Sequence, residues 1–252
     1  MLIITGGWFG DDDAEALGHA LAGKKSLKML VLKRCSFGAR GLRGIAEALK
    51  SSKTVRDISL LSTRNIGDAG AEIMADLLSS TSSLKSLSLI GCGIGAPGST
   101  SIAKALKINT SLETLCMSCN WTMGDAGAAA LADALASTTS LTRLWLDHCG
   151  IGEQGGLALG RALGANLALP LDFPLTSLSG DDIPGAEEEA ARVRALVLLR
   201  REKLLAFGMA MIKRLGGGPS AEEGSTSPSR ERSTFHYMCK DVFRLVGDAY
   251  VD

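Results

Sequence analysis

The sequence predicts an α/β solenoid, right-handed, with short parallel strands inside, helices outside and a helical extension at its C-terminal end. Three observations predict it. The stretch 123–150 recurs as near-copies every 28 or 29 residues, the units beginning at Phe9, Phe37, Ile66, Ile94, Met123 and Ile151. Each copy has one half with helical spacing of apolar residues and one half with strand spacing. A unit of that size cannot bury its apolar side chains alone, so the copies must stack.

Each unit opens on a glycine at its second position: Gly10, Gly38, Gly67, Gly95, Gly124 and Gly152. A glycine fixed at one place in a repeat points to a positive φ or to a close approach that a Cβ would block. It marks the turn into a helix. Asp68 and Asp125 follow it directly and are expected to accept orphan amide protons at the positive end of the helix. In the alanine-rich run that comes next, Leu17 and Leu21, Ile45 and Leu49, Ile102 and Leu106, and Leu131 and Leu135 are four apart and share one helical face.

The period then changes to LxxLxL. Leu84, Leu87 and Leu89 correspond to Leu27, Leu30 and Leu32, to Val55, Ile58 and Leu60, to Leu112, Leu115 and Met117, and to Leu141, Leu144 and Leu146. The alternation predicts strands over 28–32, 56–60, 85–89, 113–117 and 142–146. Three residues later stands a small polar group, Cys35, Thr63, Cys92, Asn120 or Cys149, suited to satisfy buried backbone groups where the chain leaves the strand. Leu2 and Ile4 occupy strand positions too, so Met1 to Gly7 is expected to be an open edge strand or a piece of a longer array.

The pattern LxxLxLxxC followed by IGDAGAxxLAxAL resembles the leucine-rich repeat of the ribonuclease-inhibitor type. That is the subtype of ribonuclease inhibitor, Ran GTPase-activating protein and the receptor ends of NOD-like proteins. The resemblance covers 1–170 and implies a short horseshoe whose concave face binds another protein. It also implies an alternative, a GTPase activator whose partner is a small GTPase. The nearest equivalents of that family's loop residues are Arg34, Arg64 and Asn65, with no catalytic role carried over. A NOD-like sensor would need a nucleotide-binding loop, and no GxxxxGK[ST] occurs.

Beyond the repeats, Pro170 and Pro174 interrupt the strand pattern, and 171–186 reads as an irregular end. The segment 187–215 reads as a helix with an acidic start and a basic end, a candidate cap for the last unit. A polar linker, expected to be disordered, fills 216–234, and 235–252 suffices for one short helix.

Charge is balanced, 27 basic against 27 acidic residues, which argues against nucleic acid or an anionic membrane as partner. No apolar run approaches a membrane span, and the N-terminal residues lack a secretory pattern, so the expected location is cytoplasmic or nuclear. Of the six cysteines, Cys35, Cys92 and Cys149 recur in alternate units. With strands about 4.8 Å apart they lie about 10 Å from one another, beyond the reach of a disulfide, and are expected to be reduced core thiols.

Concave positions alternate with the buried leucines. They include Lys33 and Asp57, and at the end of the array Arg143, Trp145 and Asp147, a trio suited to an interface hot spot. The expected partner-binding set adds His148 just after the last strand and Trp121, whose loop position matches that of Trp8. No catalytic residue and no cofactor is expected. A zinc reading of Cys116, Cys119, His148 and Cys149 fails on geometry, because side chains three apart on a strand face opposite sides. His236 and Cys239 lack an orienting third group.

Overall fold

The computed structural model describes residues 1–166. Six strands and six helices alternate along them: β1 (Leu2–Thr5), α1 (Asp11–Leu21), β2 (Met29–Lys33), α2 (Ala39–Lys50), β3 (Asp57–Leu61), α3 (Gly67–Ser80), β4 (Ser86–Ile90), α4 (Ala96–Ile108), β5 (Thr114–Cys116), α5 (Gly124–Leu135), β6 (Arg143–Trp145) and α6 (Glu153–Ala165). One parallel sheet runs in sequence order, β1 to β6. The irregular end, the capping helix, the linker and the terminal helix expected after residue 166 lie outside the described residues, as do His236 and Cys239.

The leucines of the repeat pair directly across the sheet. Leu30 registers with Ile58, Ile58 with Leu87, Leu87 with Leu115 and Leu115 with Leu144. All five are nearly or completely inaccessible to solvent, in one core with the helix residues Leu42, Ile45, Leu77, Ile102, Leu131 and Leu159. The first three expected strands begin and end one residue later than the leucine pattern suggested. The concave residue after the last leucine stays extended and paired, as Lys33 does with Leu61. The last two are shorter, yet the ladder continues past them: Met117 N donates to Trp145 O at 2.9 Å and Cys119 N to Asp147 O at 2.7 Å. Leu2–Thr5 forms the expected edge strand, in register with 30–33.

The recurrent glycine does two jobs. Gly67 and Gly124 have positive φ, 54° and 59°, whereas Gly38, Gly95 and Gly152 are extended. The extended ones start helices whose caps come from the preceding unit. Asp11 Oδ1 accepts the amides of Gly38 and Gly41 at 2.9 and 2.8 Å. Asp68 Oδ1 accepts those of Gly95 and Gly98 at 2.7 and 2.9 Å, and Asp125 Oδ1 those of Gly152 and Gly155 at 2.7 and 3.0 Å. This corrects the expectation that Asp68 and Asp125 cap their own helices. Each lies one residue inside its helix, where its side chain reaches sideways to the adjacent N-terminus and meets that helix's positive end. The Gly38 amide, opposed by partial burial and aided by the Gly41 amide and Arg40, holds Asp11 below its ordinary 3.8. This capping between helices therefore recurs in every second unit.

Among the described residues no helix is long and apolar enough to cross a membrane.

Candidate functional site

Behind the sheet runs a ladder of small polar groups that closes each strand. Asn120 Oδ1 accepts the amides of Cys92 and Ile94 at 3.1 and 3.0 Å, while its Nδ2 donates to Leu89 O and Met117 O at 2.9 and 2.6 Å. Cys92 Sγ donates to Leu60 O at 3.3 Å and Cys149 Sγ to Met117 O at 3.2 Å. Cys35, Cys92, Cys116, Cys119 and Cys149 are all free thiols, and only Cys119 is not buried. Burial pushes the Cys92 and Cys149 thiols up from 9.0 to about 12 and raises Cys35 and Cys116 as well.

Thiolate is the reactive form, so at pH 8 iodoacetamide is expected to label Cys119 in the folded protein. Cys35, Cys92 and Cys149 should be labelled only after denaturation. Rapid labelling of those three in the native state would contradict the stacked ladder. Because the folded values of Cys92 and Cys149 exceed the unfolded ones, the contribution of these two thiols to stability is complete below pH 9.0 and is lost as pH rises towards about 12.

The strands all leave the sheet through one turn. Gly6, Arg34, Ser62, Gly91, Cys119 and His148 occupy the same place after β1 to β6, and all six have positive φ. Four are not glycine, in a region that disfavours side chains by roughly 1–2 kcal/mol per residue. The ladder holds them there: Arg34 N donates to Leu61 O at 2.8 Å and Ser62 N to Ile90 O at 2.7 Å. The consequence is a rim from which Arg34, Ser62 and His148 project as exposed residues. Trp8 and Trp121, two positions further on, are 74% and 66% exposed. Trp121 stacks on His148, ring centroids 5.2 Å apart and planes at 23°. Sequence reading named both residues but not their contact, because a residue with positive φ leaves the strand's alternation.

On the concave face, Arg143 is exposed, Trp145 half-buried, Lys33 exposed and Asp57 half-buried. Trp145 stands across the ladder from Cys116, and Cys116 from Ser88. Asp147 departs from expectation. An open carboxylate is expected beside Trp145, but Asp147 is buried, and its Oδ2 accepts the Ser118 hydroxyl at 2.7 Å. The reason is the partner across the ladder: Ser118 follows Cys116 by two residues as Asp147 follows Trp145, and its hydroxyl reaches the carboxylate. Lys33 and Asp57 sit on strands β2 and β3, far along the sheet from the Trp145 patch, so the expected set does not form one cluster. Of the loop residues weighed for a GTPase activator, Arg34 and Arg64 are exposed, while Asn65 Nδ2 is committed to Ser36 O at 2.8 Å. Among the described residues no group of three or more His, Cys, Asp or Glu side chains is placed to hold a metal ion.

The family model described as a leucine-rich repeat matches residues 109–132 and 138–160. No curated protein matches the chain. Among solved structures, the tropomodulin C-terminal domain of Caenorhabditis elegans is 19% identical, with a TM-score of 0.48 over 76% of this chain and 99% of its own. Leiomodin-1 actin-binding site 2 is 18% identical, with a TM-score of 0.45 over 79% of this chain and 96% of its own. With the helix, the turn and the LxxLxL strand recurring through one parallel sheet, the repeats of this chain are leucine-rich repeats stacked into an α/β solenoid.

Proposed function

We propose that this chain is a non-enzymatic protein-binding module, a scaffold that receives its partner on the concave face near β5 and β6. Trp145 carries the reading. It is the only aromatic among the concave strand positions of the described residues, half-buried next to Cys116, with the exposed Arg143 two positions away. Along the ladder from it stand Cys116 and then Ser88, with Thr114 two positions before Cys116 on β5, all smaller than an indole. An indole so placed buries a large area with little entropy lost, which is why Trp and Arg dominate interface hot spots.

Trp145→Ala is expected to weaken binding of the physiological partner, once isolated, about 30-fold, or about 2 kcal/mol, with an unchanged melting curve. An unchanged Kd in a folded variant would refute the concave-face reading. Full helices of 11 to 14 residues in every unit support the ribonuclease-inhibitor kind of repeat, and the free buried thiols support a cytoplasmic or nuclear location. The GTPase-activator alternative is weakened by Asn65, whose amide is spent on the neighbouring loop. Stimulated GTP hydrolysis by an isolated partner would restore it.

A further inference from the structure

We propose that Asp147 and Trp145 form a receptor for one basic side chain, arginine or lysine, of the bound protein. This rests on the concave-face reading and adds the chemistry of the group that docks there. Asp147 is only 6% exposed. Its Oδ2 accepts the Ser118 hydroxyl at 2.7 Å, while Oδ1 is buried and accepts nothing. Among the described residues no Lys or Arg pairs with it.

The neighbouring hydrogen bonds all run towards this carboxylate. Ser118 spends its one proton on Oδ2, so the Cys116 thiol, 3.5 Å from the Ser118 oxygen, is left to donate to that oxygen. The chain of donors ends on an acceptor with an idle lone pair. A carboxylate withdrawn from water without a counter-charge is among the most unfavourable arrangements a folded protein keeps, so the missing component is a donor, and a cationic one. An acidic or phosphorylated ligand would leave the same oxygen unsatisfied and add repulsion.

Trp145 supplies the second half of the receptor. It precedes Asp147 by two residues on the same face, and an indole face attracts a cation. Arg143, exposed on the far side of Trp145, repels a cation from that side and confines it to the Asp147 side, which fixes the register of the partner.

The chain has three tryptophans and two tyrosines, so Trp8→Phe with Trp121→Phe leaves Trp145 as the only indole, read by excitation to the red of tyrosine absorption. Titrating this protein with N-acetyl-arginine methylamide is expected to change the emission saturably. The neutral isostere N-acetyl-citrulline methylamide should need at least a tenfold higher concentration, and Asp147→Asn, which keeps an acceptor for Ser118, should raise the arginine midpoint about tenfold. Equal midpoints for the two probes, no saturable response, or an unchanged midpoint in folded Asp147→Asn would each overturn the proposal. The comparison of probes needs no change at Asp147, so it decides even if that variant fails to fold. If the arginine probe fails while Trp145→Ala still weakens partner binding, the receptor falls and the concave-face reading stands.

Discussion

Asn120→Leu is expected to lower the unfolding free energy by about 4 kcal/mol, near the top of the usual range for one substitution. The leucine keeps the branched shape and the number of heavy atoms but can make none of the hydrogen bonds. Asn120 is 1% exposed and ties two neighbouring units together: it accepts from Cys92 N and Ile94 N and donates to Leu89 O and Met117 O, with a longer 3.4 Å contact to Ser118 O. Met117 O keeps the Cys149 thiol as a donor, but Cys92 N, Ile94 N and Leu89 O would lose their Asn120 partner at about 1–3 kcal/mol each, partly relieved by adjustment of the turn. Thr63 holds the corresponding place one pair of strands earlier with a single 3.4 Å bond to Leu61 O, so Thr63→Ala should cost only about 1 kcal/mol. Urea titration of both variants checks the contrast. A similar loss at the two sites would mean that Asn120 acts through volume rather than through its amide.

That ladder was legible in the sequence, and the reason shows what sequence can carry. A residue whose role lies within its own unit, such as the leucines at 87, 115 and 144 or the polar group after each strand, repeats its type at its spacing. What a residue does across the unit boundary leaves no such trace. Asp68 follows Gly67 as a first-turn acid should, yet its acceptor serves the helix that begins at Gly95. Composition at position 68 is identical under either reading, and only the side-by-side placement of helix starts decides it. The Trp145 patch was half legible: alternation put Arg143, Trp145 and Asp147 on one face, but whether Asp147 stays open depended on the residue opposite, and Ser118 let it turn in. The contact of Trp121 with His148 was hidden because the positive φ of His148, 52°, ends the two-residue rhythm from which faces are inferred.

The same boundary blindness makes Gly18 a test of which term wins. By helix propensity alone, a glycine inside α1 is a weak point, and Gly18→Ala should stabilise by about 1 kcal/mol. The packing predicts the opposite sign. A Cβ at Gly18 would lie 2.4 Å from Gly44 O and 2.5 Å from Gly44 C, both backbone atoms of α2. Neither can rotate away, and a Cβ at Gly44 would in turn lie 3.1 Å from Glu15 Cα, so the two helices touch backbone to backbone and can only separate. Gly18→Val, with two further methyl groups at the contact, is expected to destabilise by about 3 kcal/mol, at the upper end of overpacking penalties. Because a solenoid is held by interfaces between neighbouring units, the damage should stay at the first one. Amides of β1 and α1 should lose protection from hydrogen exchange while those of β4 to β6 keep theirs. Stabilisation by Gly18→Ala, or uniform loss of protection across all six strands in the valine variant, would show that α1 is not held to α2 by that backbone contact.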